Sequence, residues 1–251
     1  MLDVNWNEKF WDKRHDWSTR GEEWSAAYGG SEPQWFGSLY PRLHGVLPAD
    51  NILEIAPGMG RWTRFLLPLC RNYVGIDLSS KCVRGCQRIF SDVPHAQFLK
   101  NDGHSLGQAE EEGFELVFSF DSLVHAEFDV FKSYIPQIIG KLKTHGVAFI
   151  HHSNMGAFGT GFPNPDARTF SVSRENIEAL VVDNGGQVLI QEIIAWPYGG
   201  DNFPGDCLTV FRRDVGEQSE PIHLYNLRFR DEAQVIKEFQ SPYSRVKSHV
   251  E

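Results

Sequence analysis

The chain has 251 residues, 41% hydrophobic and 23% charged, the balance of a globular protein with room for one large α/β domain and a small accessory region. Its formal net charge of −9 speaks against a nucleic-acid substrate, because a phosphate backbone wants a basic groove. No apolar run approaches the roughly 20 residues that span a bilayer, and the start Met1-Leu2-Asp3-Val4-Asn5-Trp6 lacks the basic and apolar stretches of a secretory signal, so the expected location is the cytoplasm.

The first 45 residues hold five of the seven tryptophans, Trp6, Trp11, Trp17, Trp24 and Trp35, interleaved with charge and glycine. They read as short helices and turns laid over a core, a cap or lid rather than a domain. From Asn51 strands and helices alternate. Residues 51–55 predict a strand, 61–70 a helix, 72–76 a strand, 81–90 a helix, 96–99 and 114–120 strands, and 128–142 an amphipathic helix. His145-Gly146 predicts a turn, 147–151 a strand, and 174–182 a helix capped by Ser173 or Ser171. Residues 187–196 and 207–212 complete seven strands. Alternation of this kind implies a mostly parallel sheet with helices on both faces, and the last pair, with no helix between, implies an antiparallel edge hairpin. The expected organisation is a cap over 1–45, a main domain over 46–213 and a helical tail over 214–251, with long Gly/Pro-rich loops at 153–172 and 197–206 placed as substrate loops. Cys70, Cys82, Cys86 and Cys207 lack zinc-site spacing and any disulfide framework, and read as reduced packing residues.

The central signal is Ile52-Leu53-Glu54-Ile55-Ala56-Pro57-Gly58-Met59-Gly60-Arg61, a strand running into a glycine turn and a helix. Glycine lets the backbone approach a ligand closely. Next, Tyr73-Val74-Gly75-Ile76-Asp77 puts an acid at the end of the second strand, where it can accept hydrogen bonds from ribose hydroxyls. Lys100-Asn101-Asp102-Gly103 follows the third strand. Each acid also has a plainer reading, Asp77 as a helix cap and Asp102 as a turn residue. A nicotinamide enzyme competes for the same strand–glycine–helix pattern, but Arg61 and Trp62 follow Gly60 at once and the third glycine is missing.

Over roughly residues 50–152 the sequence resembles class I S-adenosylmethionine-dependent methyltransferases, with Ala56 in place of the family's first glycine. The resemblance implies a Rossmann-like fold. It places Glu54 near the methionine part of the cofactor, with Ala56, Gly58 and Gly60 as further cofactor contacts, Asp77 at the ribose, Leu78 beside the adenine, and Asp102 and Gly103 at the adenine edge. It also places the fourth-strand end, Phe120 and Ser122, against the methionine portion.

A hydroxyl acceptor needs its proton removed. Asp121 and His125 follow the fourth strand, and His151 and His152 end the fifth; strand alternation sends one of that pair to each face. His152, His125 and Asp121 are the candidate catalytic residues, and Tyr28, Trp35, His151 and Asn154 the candidate substrate contacts. Asp121 and Asn154 are also candidate magnesium ligands, although no metal motif is present. The segment from Trp24 to Trp35 is similar to the cap of bacterial saccharide-modifying methyltransferases, which implies O-methylation of a saccharide. Methylation of another small metabolite, or cofactor binding without catalysis, stays open. The expected partners are a small molecule or oligosaccharide, with no nucleic acid and no membrane span.

Overall fold

The computed structural model describes residues 3–161, 167–196, 203–214, 216 and 219–240. In chain order the strands are β1 Ala49–Ile55, β2 Cys70–Asp77, β3 Ala96–Lys100, β4 Phe114–Ser119, β5 Leu142–Ser153, β6 Gly186–Ile194, β7 Asp206–Arg213 and β8 Ile222–Asn226. The α-helices are α1 Val4–Lys9, α2 Ser31–Gln34, α3 Tyr40–Leu43, α4 Thr63–Leu66, α5 Ser80–Ile89, α6 Phe128–Lys141, α7 Arg174–Asp183 and α8 Glu232–Val235.

One eight-stranded sheet runs in the order β3-β2-β1-β4-β5-β7-β6-β8. Strands β1 to β5 pair in parallel and β7 runs antiparallel to both β5 and β6. This is the α/β Rossmann-like methyltransferase fold expected from the sequence, with one strand more. The extra strand, β8, comes from the polar tail and pairs in parallel with β6, so β8 and not the β6–β7 hairpin forms that edge. Arg42 helps dock the tail, bonding Glu192 of β6 at 2.7 Å and Glu232 of α8 at 2.8 Å.

Strand alternation sorts the core into two faces. On one, Ile52, Tyr73, Phe118, Phe149 and Leu208 pack under Tyr28, Trp35 and Phe229. On the other, Leu53, Ile76, Val117, Ala148 and Phe211 pack under Ile135 and Ile138 of α6 and Ile177 and Val181 of α7. Ser173 caps α7 in a reciprocal box with Asn176.

Two local expectations change. The helix expected over 61–70 is one turn of α4 and a tighter turn at Leu67–Leu69, because Pro68 lacks the N–H that would continue it; Cys70 opens β2 instead. His145-Gly146 is no turn but part of β5, whose pairing with β4 shifts register between Phe114 and Leu116. Residues 162–166 and 197–202 of the two expected loops, and 241–251 of the expected tail, lie outside the described residues. Among the described residues no helix is long and apolar enough to cross a membrane.

Candidate active site

The strand order reverses between β1 and β4, and a pocket of about 930 Å³, open mouth included, lies beyond the carboxyl ends of the strands there. That is where open α/β sheets bind ligands. The structure brings Ala56, Gly58, Asp77, Leu78, Gly103, Phe120, Asp121 and Ser122 to its wall.

The floor is the turn after β1. Gly58 has φ +59°, and its N–H donates to Asp77 Oδ2 at 2.9 Å while Ser79 N–H donates to Oδ1 at 2.7 Å. Burial pushes the Asp77 carboxyl up to about 6 despite these two donors. Gly60 is not brought to the pocket; a Cβ there would run into the Phe90 ring, so its constraint is packing beside α5.

Glu54 does not reach the pocket either. It shares the parity of Ile52, so its carboxylate turns into the sheet face that holds Tyr73, where the hydroxyls of Tyr73 and Thr63 donate to it. Burial pushes this carboxyl up to about 7, against the pull of both hydroxyls.

Asp102 is likewise turned out of the pocket. Its Oδ1 accepts from His104 N at 2.9 Å and Ser105 N at 2.7 Å, closing its own turn. The neighbouring Asn101 takes the pocket position. Its amide nitrogen donates to Tyr134 Oη at 2.8 Å and Ser105 O at 3.0 Å, leaving Oδ1 buried with no hydrogen-bond partner. Only adjacency to Asp102 could have marked Asn101 in the sequence.

The outer wall comes from the start of the chain. Trp11, Trp17 and Trp24 line the pocket and lean on one another edge-on or tilted, with ring centroids 5.7–6.0 Å apart. Asp12 anchors this segment to α5 by accepting from Ser79 Oγ at 2.9 Å and Lys81 N at 2.8 Å. Trp35 is elsewhere, buried and stacked on Phe65 at 5.2 Å.

At the end of β4, Asp121 has φ +58° and binds Arg61 Nη2 through Oδ2 at 2.6 Å. Arg61 lies 4.6 Å from the Trp62 ring and 5.3 Å from the Trp24 ring, and donates to Ser25 Oγ. In the sequence Arg61 and Trp62 mark only a departure from the dinucleotide pattern. Behind Asp121, Arg168 Nη2 lies 3.7 Å from Asp121 Oδ1 and 3.0 Å from Asp206 Oδ2. Burial would raise the Asp206 carboxyl, but Arg168 and His151 hold it well below the usual carboxylate range.

The histidines fall differently from expectation. His152 shares the face of Ala148 and Ile150; its ring nitrogens contact Ser153 O at 2.8 Å and Thr209 Oγ1 at 2.7 Å, and Phe131 covers it. It is a satisfied core histidine outside the pocket, and burial lowers its pKa to about 4. His151 points to the pocket side but behind its wall, wholly buried against Phe120 and Trp196. His125 Nδ1 faces Ala167 O at 2.9 Å and its ring lies 5.3 Å from Trp11. Burial, then Arg168, lowers its pKa to about 4.

Tyr28 is also behind the wall, packed on Trp196 and Phe229 with its hydroxyl unpartnered. Asn154 serves the loops: its Oδ1 accepts from Arg174 N at 2.9 Å and its amide donates to Pro204 O at 3.2 Å. Its side chain is therefore engaged away from Asp121, and the expected magnesium pair does not form. Among the described residues no three His, Cys, Asp or Glu side chains cluster as a metal site.

Residues 52–146 match the family model of a methyltransferase domain. No curated protein matches the sequence. Solved structures share the fold at low identity. The N-methyltransferase NodS from Bradyrhizobium japonicum, in complex with S-adenosyl-L-homocysteine, is 16% identical with a TM-score of 0.59, covering 84% of this chain and 97% of that one. A protein from Pyrococcus horikoshii is 18% identical with a TM-score of 0.57, covering 82% and 96%. An S-adenosylmethionine-dependent methyltransferase from Mesorhizobium loti is 16% identical with a TM-score of 0.57, covering 74% and 100%. Residues 52–146 thus carry a methyltransferase domain, on a fold shared with solved S-adenosylmethionine-dependent methyltransferases.

Proposed function

We propose that the protein transfers the methyl group of S-adenosylmethionine to a hydroxyl of a saccharide. The residues present suit the cofactor. Asp77, Leu78, Asn101 and Gly103 would hold its adenosine end, with the unpartnered Asn101 Oδ1 taking a base N–H. Ala56, Gly58, Phe120 and Ser122 would hold its methionine end. Bound there, it supplies an electrophilic methyl on a sulfonium.

The observation that carries the acceptor reading is the far wall, where Trp24 and Trp62 flank Arg61 and its partner Asp121. Flat aromatic faces with polar edges suit a sugar ring. Arg61 and Arg168 are balanced by Asp121 and Asp206, so an anionic acceptor would add an uncompensated buried charge, whereas a neutral hydroxyl would not. Asp121 orients that hydroxyl and takes its proton as the new bond forms; Arg61 holds the carboxylate in place.

We place the 1–45 segment as the cap of this site, 46–213 as the catalytic domain and 214–251 as an accessory tail, of which β8 docks on the sheet edge. The four free cysteines fit a reducing compartment, the cytoplasm. The test is a methyl-transfer screen over mono- and oligosaccharides, small amines and carboxylic acids, with and without EDTA. Methylation of one saccharide, insensitive to EDTA and lost in Asp121→Asn, is the expected result. Turnover confined to amines or acids would overturn the acceptor assignment.

A further inference from the structure

Behind Asp121, the side chains of His151, Asp206 and Arg168 close a ring with it, and the reaction as described leaves these three without a role. The Asp121 backbone N–H donates to His151 Nδ1 at 3.1 Å. His151 Nε2 lies 3.2 Å from Asp206 Oδ2. Arg168 grips both Asp206 oxygens, through Nε at 3.2 Å and Nη2 at 3.0 Å, and returns to Asp121 Oδ1 at 3.7 Å. His151 and Asp206 are 0% and 1% exposed. Such a buried network is costly unless each member is paired.

The ring fixes a tautomer. Because His151 Nδ1 accepts the Asp121 N–H, the neutral imidazole carries its hydrogen on Nε2, toward the Asp206 carboxylate. That N–H is not aligned on the Asp206 oxygen, so it has electrostatic support without a formed hydrogen bond. With one nitrogen accepting and the other protonated and walled in by Phe120 and Trp196, His151 has no lone pair to offer an acceptor.

What it can do is hold Asp121. That residue sits at φ +58°, a backbone conformation that persists only where the surroundings impose it. His151 binds the peptide N–H of this strained residue while Arg61 and Arg168 fix its carboxylate. Arg168 is itself set from the Asp121 side of the site: His125 Nδ1 contacts Ala167 O at 2.9 Å, and Thr169 N donates to Val124 O at 3.1 Å. Residues 167–169 and Asp206 are thereby tied to the carboxylate that faces the cofactor pocket.

We propose that His151, Asp206 and Arg168 are positioning residues that act through Asp121, with His151 serving as an Nε2–H imidazole bridge and not as a base. The role assigned to Asp121 rests on the reading under Proposed function; the bridge itself does not. Glutamine can imitate it, its amide oxygen accepting the Asp121 N–H and its amide nitrogen donating toward Asp206.

The experiment uses the full chain as wild type, His151→Gln, His151→Phe and Asp206→Asn. Nitrogen-15 spectra of the histidine side chains read the tautomer, calorimetry with S-adenosylhomocysteine reads the cofactor site, and methyl transfer is followed on whichever acceptor the screen identifies. The expected spectrum shows His151 as the Nε2–H tautomer, with its resonances moved by Asp206→Asn. His151→Phe should lose about 100-fold in kcat, the scale of a misplaced reacting group, while His151→Gln recovers to within about tenfold and S-adenosylhomocysteine affinity stays within about threefold in both. An Nδ1–H tautomer, or His151 resonances indifferent to Asp206→Asn, would overturn the bridge whatever the acceptor proves to be. Full activity in His151→Phe, or Gln as impaired as Phe, would overturn the positioning role. Failure of the saccharide arm alone would strike only the acceptor assignment.

Discussion

The Trp17 ring lies on the backbone of Gly58: a Cβ built on that glycine would stand 3.1 Å from Trp17 Cη2 and 3.2 Å from Cζ3. The outer wall and the floor of the pocket therefore meet at one residue that has no side chain. Gly58→Ala must both force a Cβ into the left-handed region, at about 1–2 kcal/mol, and push Trp17 outward. The variant should fold and bind S-adenosylhomocysteine roughly tenfold more weakly, with a changed tryptophan emission. Unaltered affinity and emission would mean that Trp17 gives way freely and that the contact has no part in the site.

Ala56 presents the opposite case. It holds φ +57° where a glycine would be at ease. Ala56→Gly relieves the strain but loosens the unfolded chain, so the net gain should be about 0.5–1 kcal/mol, or a rise of roughly 1–3 °C in Tm. Denaturant unfolding checks it. A loss of stability would show that the Ala56 methyl contributes more by packing than its backbone loses by strain.

Glu54 predicts a pH dependence. Its carboxyl is raised from the usual 4.5 to about 7 because it is buried with hydroxyl partners and no bonded cation. The folded state thus keeps the proton longer than the unfolded state. Between about pH 4.5 and 7 the unfolded state binds fewer protons, so the stability due to Glu54 falls as pH rises through that window and is flat above it. Glu54→Gln should therefore stabilise the protein by a few kcal/mol at pH 8 and by far less at pH 5. Equal effects at the two pH values would contradict the assignment.

Asn101 and Asp102 separate two roles that adjacent residues could share. The Asp102 carboxylate closes its own turn, whereas Asn101 Oδ1 is buried at the pocket without a partner. Asn101→Ala should weaken S-adenosylhomocysteine binding about tenfold, and Asp102→Asn by no more than about threefold. The reverse ranking in calorimetry would return the adenine contact to Asp102.

The parts legible in the sequence are those that local pattern controls. The β1 turn, Asp77 at the end of β2 and the alternation of strands with helices follow from glycine conformation and hydrophobic period, and they locate the pocket. Which face a strand presents does not follow from period alone. His151 and His152 had to point opposite ways, but only the register of β5 between β4 and β7 decides that His152 meets Phe131 and His151 meets Phe120. The same parity takes Glu54 away from the pocket. Trp11, Trp17 and Trp35 are alike in composition, yet the fold sends two to the pocket wall and one to the core. Strand β8 offers only a five-residue alternation, Ile222-His223-Leu224-Tyr225-Asn226, inside a polar tail, and four of these residues are exposed, so no core-facing pattern sets it apart.

The cofactor assignment is tested most directly by calorimetric titration of S-adenosylhomocysteine into the 251-residue chain, beside its Asp77→Ala variant. One-to-one binding in the micromolar range is expected, weakening by a few kcal/mol when the Asp77 carboxylate is removed. No binding of S-adenosylhomocysteine, together with saturable binding of a nicotinamide dinucleotide, would contradict the assignment.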